Sequence, residues 1–221
     1  MKRSKRYKKA KEFIELKTYT FKEAFDVLKL IDTGKSRTVD LSISLDSSKI
    51  KQFNMRGFFK MPNIFKICRL AVVNYELSES LKNNKDILFL NIDELAKITS
   101  QRNKKTWGFD KLLLNSKGLE KIKHLAKKLS IKKCFPNLKD GTLFTDEKYV
   151  EDYLTGKTEL KADKEGNFHV SIGRTDFSYE KLEENFKEVL SKVNGLKPSN
   201  WKGGYIKNLT LSTTMSPGIR I

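Results

Sequence analysis

The sequence predicts a mixed fold, an α+β domain assembled from both chain ends and interrupted by a parallel α/β domain. Three observations predict it. Near each end, apolar and polar residues alternate with period two, the mark of strands buried on one face. Between them, short continuous apolar runs are separated by helical sequence, as in sheets covered on both faces. Near Thr158 the first pattern returns.

Taken in order, residues 2 to 11 hold seven basic side chains and no acid, then Phe13, Ile14 and Leu16, which reads as a short basic helix. Thr20 to Glu23 fits a capping box, after which Phe21, Ala24, Phe25, Leu28 and Ile31 recur at helical spacing until Asp32, Thr33 and Gly34. Val39, Leu41, Ile43 and Leu45 alternate with Asp40, Ser42 and Ser44, predicting a strand that packs on that helix.

After Met61, Pro62 and Asn63 the texture changes. Strands are expected at Ile67 to Val73, Ile87 to Leu90 and Leu112 to Leu114, with helices at Asp93 to Ile98 and, rich in Lys, at Leu119 to Leu129. This is an insert of roughly 90 residues, the size of a small domain. Beyond Thr158, Leu160 and Ala162 lead through a turn at Asp163 to Asn167 into Phe168, Val170 and Ile172, which alternate with His169 and Ser171 and predict a hairpin. Ser178 is placed to cap a helix bearing Leu182, Phe186, Val189, Leu190 and Val193, ended by Asn194 and Gly195. A last strand, Tyr205 to Ser212, sets Tyr205, Leu209 and Leu211 on one side and Asn208, Thr210 and Ser212 on the other.

Lys plus Arg number 45 against 27 Asp plus Glu, a formal charge of +18, which calls for a polyanionic partner. With 38% hydrophobic residues and 14 Phe the chain builds a core and is no disordered tail. No run approaches the ~20 apolar residues of a bilayer span, and MKRSKRYKKAKEF has no apolar segment behind its charge, so neither secretion nor membrane insertion is expected. Nucleic acid and an anionic membrane surface both satisfy the charge, whose sign alone does not choose between them. Residues 189 to 221 carry Lys192, Lys197, Lys202, Lys207 and Arg220 without one acid, and hydroxyls and amides on the last strand suit ribose 2′-OH groups and base edges. The run Lys117 to Lys133 is a second basic face opposed by Glu120 alone.

Chemistry has little material. The histidines are His124 and His169, Cys68 and Cys134 lie 66 positions apart, and there is no P-loop, HExxH or paired CxxC. No catalytic residue, cofactor or metal site is expected.

The motifs DKEGNFHVSIG (Asp163 to Gly173), KGGYIK (Lys202 to Lys207) and LSTTMSPG (Leu211 to Gly218) resemble the ribosomal large-subunit protein one family, which builds the mobile stalk beside the E site. KRYKKAKE from Lys5, TFKEAFDVLK from Thr20, TVDLSISL from Thr38 and MRG from Met55 agree in order and spacing, so the resemblance covers essentially the whole chain, weakest between about residues 66 and 157. It implies a discontinuous rRNA-binding α+β domain, 1–66 plus 158–221, with an inserted Rossmann-like parallel α/β domain, 67–157. No GxGxxG follows the strand at Ile67 to Val73, so the insert lacks the usual dinucleotide signature.

The resemblance further implies a structural constituent of the large subunit that binds stalk rRNA and other ribosomal proteins. It implies transient contact with E-site tRNA, whose deacylated form the stalk helps to release, and repression of the protein's own mRNA. By position, Lys35, Thr38, Asp40, His169, Ser212, Thr214 and Met215 are the expected rRNA-contacting surface, with Lys5, Arg6 and Lys8 as an arm beside it. The sequence departs from the family where Ser36 replaces an aromatic residue after Gly34 and Lys35, and where Ser216 replaces a glycine. A free RNA-binding regulator or assembly factor is the alternative reading. The bias to Lys, Asn and Ile suggests an AT-rich genome, and a mitochondrial ribosome is expected before a plastid or a bacterial cytoplasm.

Overall fold

A computed structural model describes residues 5–15, 17–32, 36–46, 55–66, 68–73, 84–100, 107–115, 118–131, 134–137, 141–144, 148–198, 201 and 203–221. They form a mixed α/β protein with a four-stranded antiparallel sheet, a four-stranded parallel sheet and a two-stranded ladder, grouped into two compact units, Met1–Phe65 with Thr158–Ile221, and Lys66–Lys157.

The first unit begins with the basic helix α1, Lys5–Glu12, in which Ala10 is buried and the lysines are exposed. Helix α2, Phe21–Ile31, starts at the expected capping box. The Thr20 hydroxyl accepts from the Glu23 N–H at 3.4 Å, and Glu23 accepts from the Thr20 N–H at 2.9 Å. The bond from the Thr20 backbone first, and then one from the Thr20 side chain, hold the Glu23 carboxyl below its usual range.

Strand β1, Thr38–Leu45, buries Val39, Leu41, Ile43 and Leu45 and turns Thr38, Asp40, Ser42 and Ser44 the other way. It is flanked by β8, Asn167–Arg174, and by β9, Ile206–Thr213, which carries the short edge strand β10, Ile219–Arg220. The order is β10-β9-β1-β8, antiparallel throughout. Helices α2 and α7, Tyr179–Gly195, pack with the apolar face of this sheet through Phe25, Leu28, Leu182, Val189 and Val193. Gly173 permits the close approach of α7, since a Cβ there would stand 2.5 Å from Leu182 Cδ2. Ser178 takes the extended N-cap conformation of α7 without donating or accepting a side-chain capping bond.

Inside this core Asn185 is fully buried and its amide satisfies three backbone groups. It donates to the carbonyls of Ile172 (2.7 Å) and Asn63 (2.9 Å) and accepts from the Asn63 N–H (2.9 Å). A small ladder of β2, Arg56–Lys60, and β7, Lys157–Lys161, carries the Arg56–Glu159 ion pair.

The expected hairpin is corrected. Its two strands meet at a single bridge, Ala162 with Phe168, after which β7 pairs with β2 and β8 with β1. The turn itself forms, because Asp163 accepts from the N–H groups of Glu165 (2.9 Å) and Asn167 (2.7 Å). Those bonds are local. They set the reversal of the chain but not the partner of the next strand, and β1 offers β8 a longer partner with matching alternation.

The second unit is a parallel sheet in the order β4-β3-β5-β6, from Ile87–Leu90, Leu70–Val73, Lys111–Asn115 and Leu143–Phe144. The strand expected from Ile67 starts at Leu70; Ile67 lies outside the described residues. Central residues are buried on both faces. Ala71, Val73, Leu112 and Leu114 join Leu95 of α3 (Ile92–Ser100) and Ile122, Leu125 and Leu129, while Leu70, Val72 and Leu113 join Val150 and Tyr153 of α6 (Lys148–Leu154). The Lys-rich helix is not continuous. It runs as α4, Leu119–Ile122, a tighter 3-10 turn, Lys123–Leu125, and α5, Ala126–Ile131.

Candidate nucleic-acid interface

The polar face of the antiparallel sheet follows from register. With β1 in the middle, its outward residues draw partners from both sides: Asn167, Ser44 and Asn208 form one row, His169, Ser42 and Thr210 a second, and Ser171, Asp40 and Ser212 a third. Asp40 and Ser171 keep the register of the other two rows, and a β-bulge between Val39 and Asp40 then sets Val39 opposite Gly173. Arg220 of β10 extends the second row beside Thr210 and donates to Asn208 Oδ1 at 2.8 Å.

The groups are tied to each other. Ser44 donates to Asn167 Oδ1 (2.7 Å), the Ser42 hydroxyl and His169 Nδ1 share a hydrogen bond of 3.2 Å, and Ser171 donates to Asp40 Oδ1 (2.5 Å). Such bonds fix rotamers and leave further donors and acceptors facing outward. In these three rows Asp40 is the one acid, so the face offers neutral groups flanked by His169 and Arg220, a composition suited to sugar hydroxyls and base edges.

His169 is exposed, and its Nε2 lies 3.8 Å from Asp163 Oδ2. Burial pushes the Asp163 carboxyl up, but hydrogen bonds from Asn167 and Glu165, with attraction to His169, outweigh it and hold the group below its usual range.

At the far end of the sheet β9 runs into a turn. Thr214 is exposed, its hydroxyl is 2.8 Å from that of Thr38, and its N–H donates to the Thr38 carbonyl at 3.4 Å. Met215 has φ +79° and a side chain in solvent, 74% exposed. A long apolar side chain with positive φ and no packing is unusual enough to suggest function. Ser216 closes the turn, accepting from the Thr213 N–H (2.8 Å), and the left-handed conformation falls on Met215, so a serine fits where a glycine stands in the family it resembles.

Thr38, Asp40, His169, Ser212, Thr214 and Met215 are thus gathered on one face of one sheet and its terminal turn. Met215 and His169 are separated by two strand spacings across and about four residues along, on the order of 15 Å. Lys5 and Lys8 are exposed on α1, and among the described residues no hydrogen bond or ion pair joins them to the polar rows. The chain after α1 is anchored, since Ile14 packs on the core and the Tyr19 N–H donates to the Arg220 carbonyl (2.9 Å). The Arg6 side chain and Lys35 lie outside the described residues.

Sequence reasoning missed Asp32, read as a helix stop, and Arg37. Asp32 is buried, accepts from the Thr213 hydroxyl and lies 3.2 Å from Arg37 Nε. Proximity to a helix end and a strand start was the available signal, and neither residue announces its burial. Among the described residues no cluster of His, Cys, Asp or Glu is arranged to hold a metal ion, and no helix is long and apolar enough to cross a membrane.

Residues 7–217 match the model of the ribosomal protein L1p/L10e family. The chain is similar to the large ribosomal subunit protein uL1 of Mycoplasma capricolum, 39% identical over 225 residues that span 99% of this chain and 97% of that protein. It is similar also to that of Mycoplasma mycoides (38%, 99% and 97%) and to that of Thermosipho melanesiensis (33%, 100% and 96%). These relatives are bacterial, so the expectation of a mitochondrial ribosome is corrected: the compositional bias fits a bacterium with an AT-rich genome.

Proposed function

The chain belongs to the ribosomal protein L1p/L10e family, and on that premise we propose that it grips the stalk region of large-subunit rRNA with the polar face of its antiparallel sheet. It is a structural ribosomal protein and not an enzyme. The observation that carries the proposal is the three-strand array of hydroxyl, amide and imidazole groups ending in the exposed Thr214–Met215 turn.

Each part has a task. Ser42, Thr210 and Ser212 exchange hydrogen bonds with 2′-OH groups and base edges. Asp40 repels phosphate and accepts from ribose hydroxyls or exocyclic amines. Met215 packs against an unstacked base, and Lys5, Arg6, Lys8 and Lys35 neutralise phosphates around the contact. The domain built from 1–66 plus 158–221 does this work, and the Rossmann-like insert, 67–157, completes the stalk protein. That stalk assists release of deacylated tRNA from the E site, and the same RNA-binding face recognises a stalk-like element in the protein's own mRNA. The compartment is the bacterial cytoplasm.

The test compares the full chain on a stalk-region rRNA fragment and on an unrelated RNA duplex of equal length across a salt series. Preference for the stalk fragment supports the reading, and equal affinity overturns it. Lys5→Gln with Lys8→Gln weakens both RNAs and flattens the salt slope by roughly one for each phosphate no longer neutralised, whereas Thr214→Val weakens the stalk fragment selectively. Co-sedimentation with intact large subunits at moderate salt separates a ribosomal constituent from a free regulator or assembly factor.

A further inference from the structure

The turn that presents Thr214 and Met215 is held from behind by charge. Asp32 stands just after α2 and is 4% exposed; the Arg37 side chain, just before β1, is 12% exposed. The carboxylate faces Arg37 Nε at 3.2 Å and accepts from the Thr213 hydroxyl. The guanidinium in turn donates through Nη1 to the Thr214 carbonyl at 2.6 Å. The Arg37 backbone is fastened too, its N–H to Thr175 Oγ1 (3.1 Å) and its carbonyl to the Thr175 N–H (2.8 Å). The ion pair therefore joins the end of α2 to the last two residues before Met215, and the Arg37 backbone ties it to Thr175, just after β8.

A buried charge is costly unless it is paired, and its usual return is a fixed geometry. Met215 needs one, because a left-handed conformation at a residue with a Cβ persists only where its surroundings over-determine it. Most of the Arg37 side chain is enclosed, and its Nε and Nη1 are directed at Asp32 and the Thr214 carbonyl.

We propose that the Asp32–Arg37 pair is a positioning device for the RNA-contacting turn: it clamps Thr213 and the Thr214 carbonyl so that the Thr214 hydroxyl and the Met215 side chain meet RNA in one preset arrangement. The inference rests on the proposed RNA-binding reading, and neither residue of the pair touches the ligand.

The test uses the full chain, with Arg37→Met (the stem without the fork), Arg37→Lys (the charge without the fork), and Arg69→Met, an exposed arginine of the second unit, as the control. Affinity is measured for the stalk-region rRNA fragment and for an unrelated duplex, each across salt, and the Met215 methyl resonance is followed in the free protein after assignment by Met215→Leu. Expected for Arg37→Met are about a tenfold loss on the stalk fragment, no change on the duplex, an unchanged salt slope, and a Met215 methyl moved toward a motionally averaged position. Arg37→Lys falls between, and Arg69→Met leaves the Met215 methyl in place.

Equal weakening on both RNAs with a flatter salt slope would make Arg37 a phosphate contact and overturn the proposal. So would an unmoved methyl with full affinity. If Arg37→Met does not fold, Arg37→Lys decides by the same two readouts. Should the unaltered chain show no preference between the RNAs, the RNA-binding reading fails, while the methyl shift still judges the clamp.

Discussion

The two four-stranded sheets of this protein solve burial differently, and only one of those solutions leaves a surface free for recognition. In the antiparallel sheet every second residue of β1 and β8 enters the core and the residues between form polar rows. In the parallel sheet consecutive residues such as Leu112, Leu113 and Leu114 are all buried, alternating between two apolar clusters. A sheet covered on one side is a platform; one covered on both is a scaffold whose exterior belongs to helices and loops.

The largest effect that tests this contrast is a buried charge placed at neighbouring positions. Leu112→Asp and Leu113→Asp are each expected to cost about 3–5 kcal/mol, because either carboxylate enters an apolar cluster. In β1, Ile43→Asp is as damaging, but Ser42→Asp changes stability by less than about 1 kcal/mol and instead abolishes preference for stalk RNA. Urea unfolding of the four variants measures it. A Ser42→Asp chain as unstable as Ile43→Asp would mean that the polar face is itself packed.

Next in size is Asn185, the polar group inside the first core. Asn185→Leu strands the Asn63 N–H and carbonyl and the Ile172 carbonyl, for an expected cost of about 2–4 kcal/mol in urea. The nearest counterpart in the second unit is the buried Thr142, whose hydroxyl accepts from the Asn137 N–H (2.8 Å) and donates to the Asn137 carbonyl (3.2 Å) beside the edge strand β6.

What the sequence revealed divides along the same line. Helix α2 and strand β1 were legible because a capping box and a strict alternation are local signals. The faces of β8 and β9 are legible for the same reason, and Asp40, His169 and Ser212, which the family resemblance assigns to the RNA-contacting surface, fall on the polar rows. Which strands pair was not legible. The turn at Asp163 reads as a hairpin, yet the register of β8 is chosen by β1, more than a hundred residues away. Asp32 and Arg37 were missed because charge in a basic chain reads as surface until tertiary structure encloses it. Edge exposure was hidden also. Leu88 and Phe89 look like core, but β4 lies at the end of its sheet and both are partly exposed.

A smaller effect separates presentation from stability within the recognition surface. Met215→Gly removes a Cβ from a φ of +79°, so it is expected to raise stability by about 0.5–1 kcal/mol while lowering affinity for stalk RNA about tenfold. Thermal unfolding and binding titration on the same sample check both signs. A loss of stability would show that the methionine packs on the protein and is not held out for a partner.

The smallest effect is electrostatic and lies at the other end of the polar face. The folded Asp163 carboxyl sits below its ordinary value of 3.8. With the folded value lowered, the unfolded chain takes up the proton first, so the group's contribution is complete well above pH 4 and is lost as pH falls through the folded value. Asp163→Asn cannot titrate and lacks that loss, although it forfeits part of the turn's stability at neutral pH. Many other carboxylates titrate in the same range, so the informative quantity is the difference between the urea midpoints of the two chains, which should narrow as pH drops from 5 to 2. A constant difference would mean that the bonds from Glu165 and Asn167 do not distinguish the charged from the neutral carboxyl, and that the turn is held by its backbone alone.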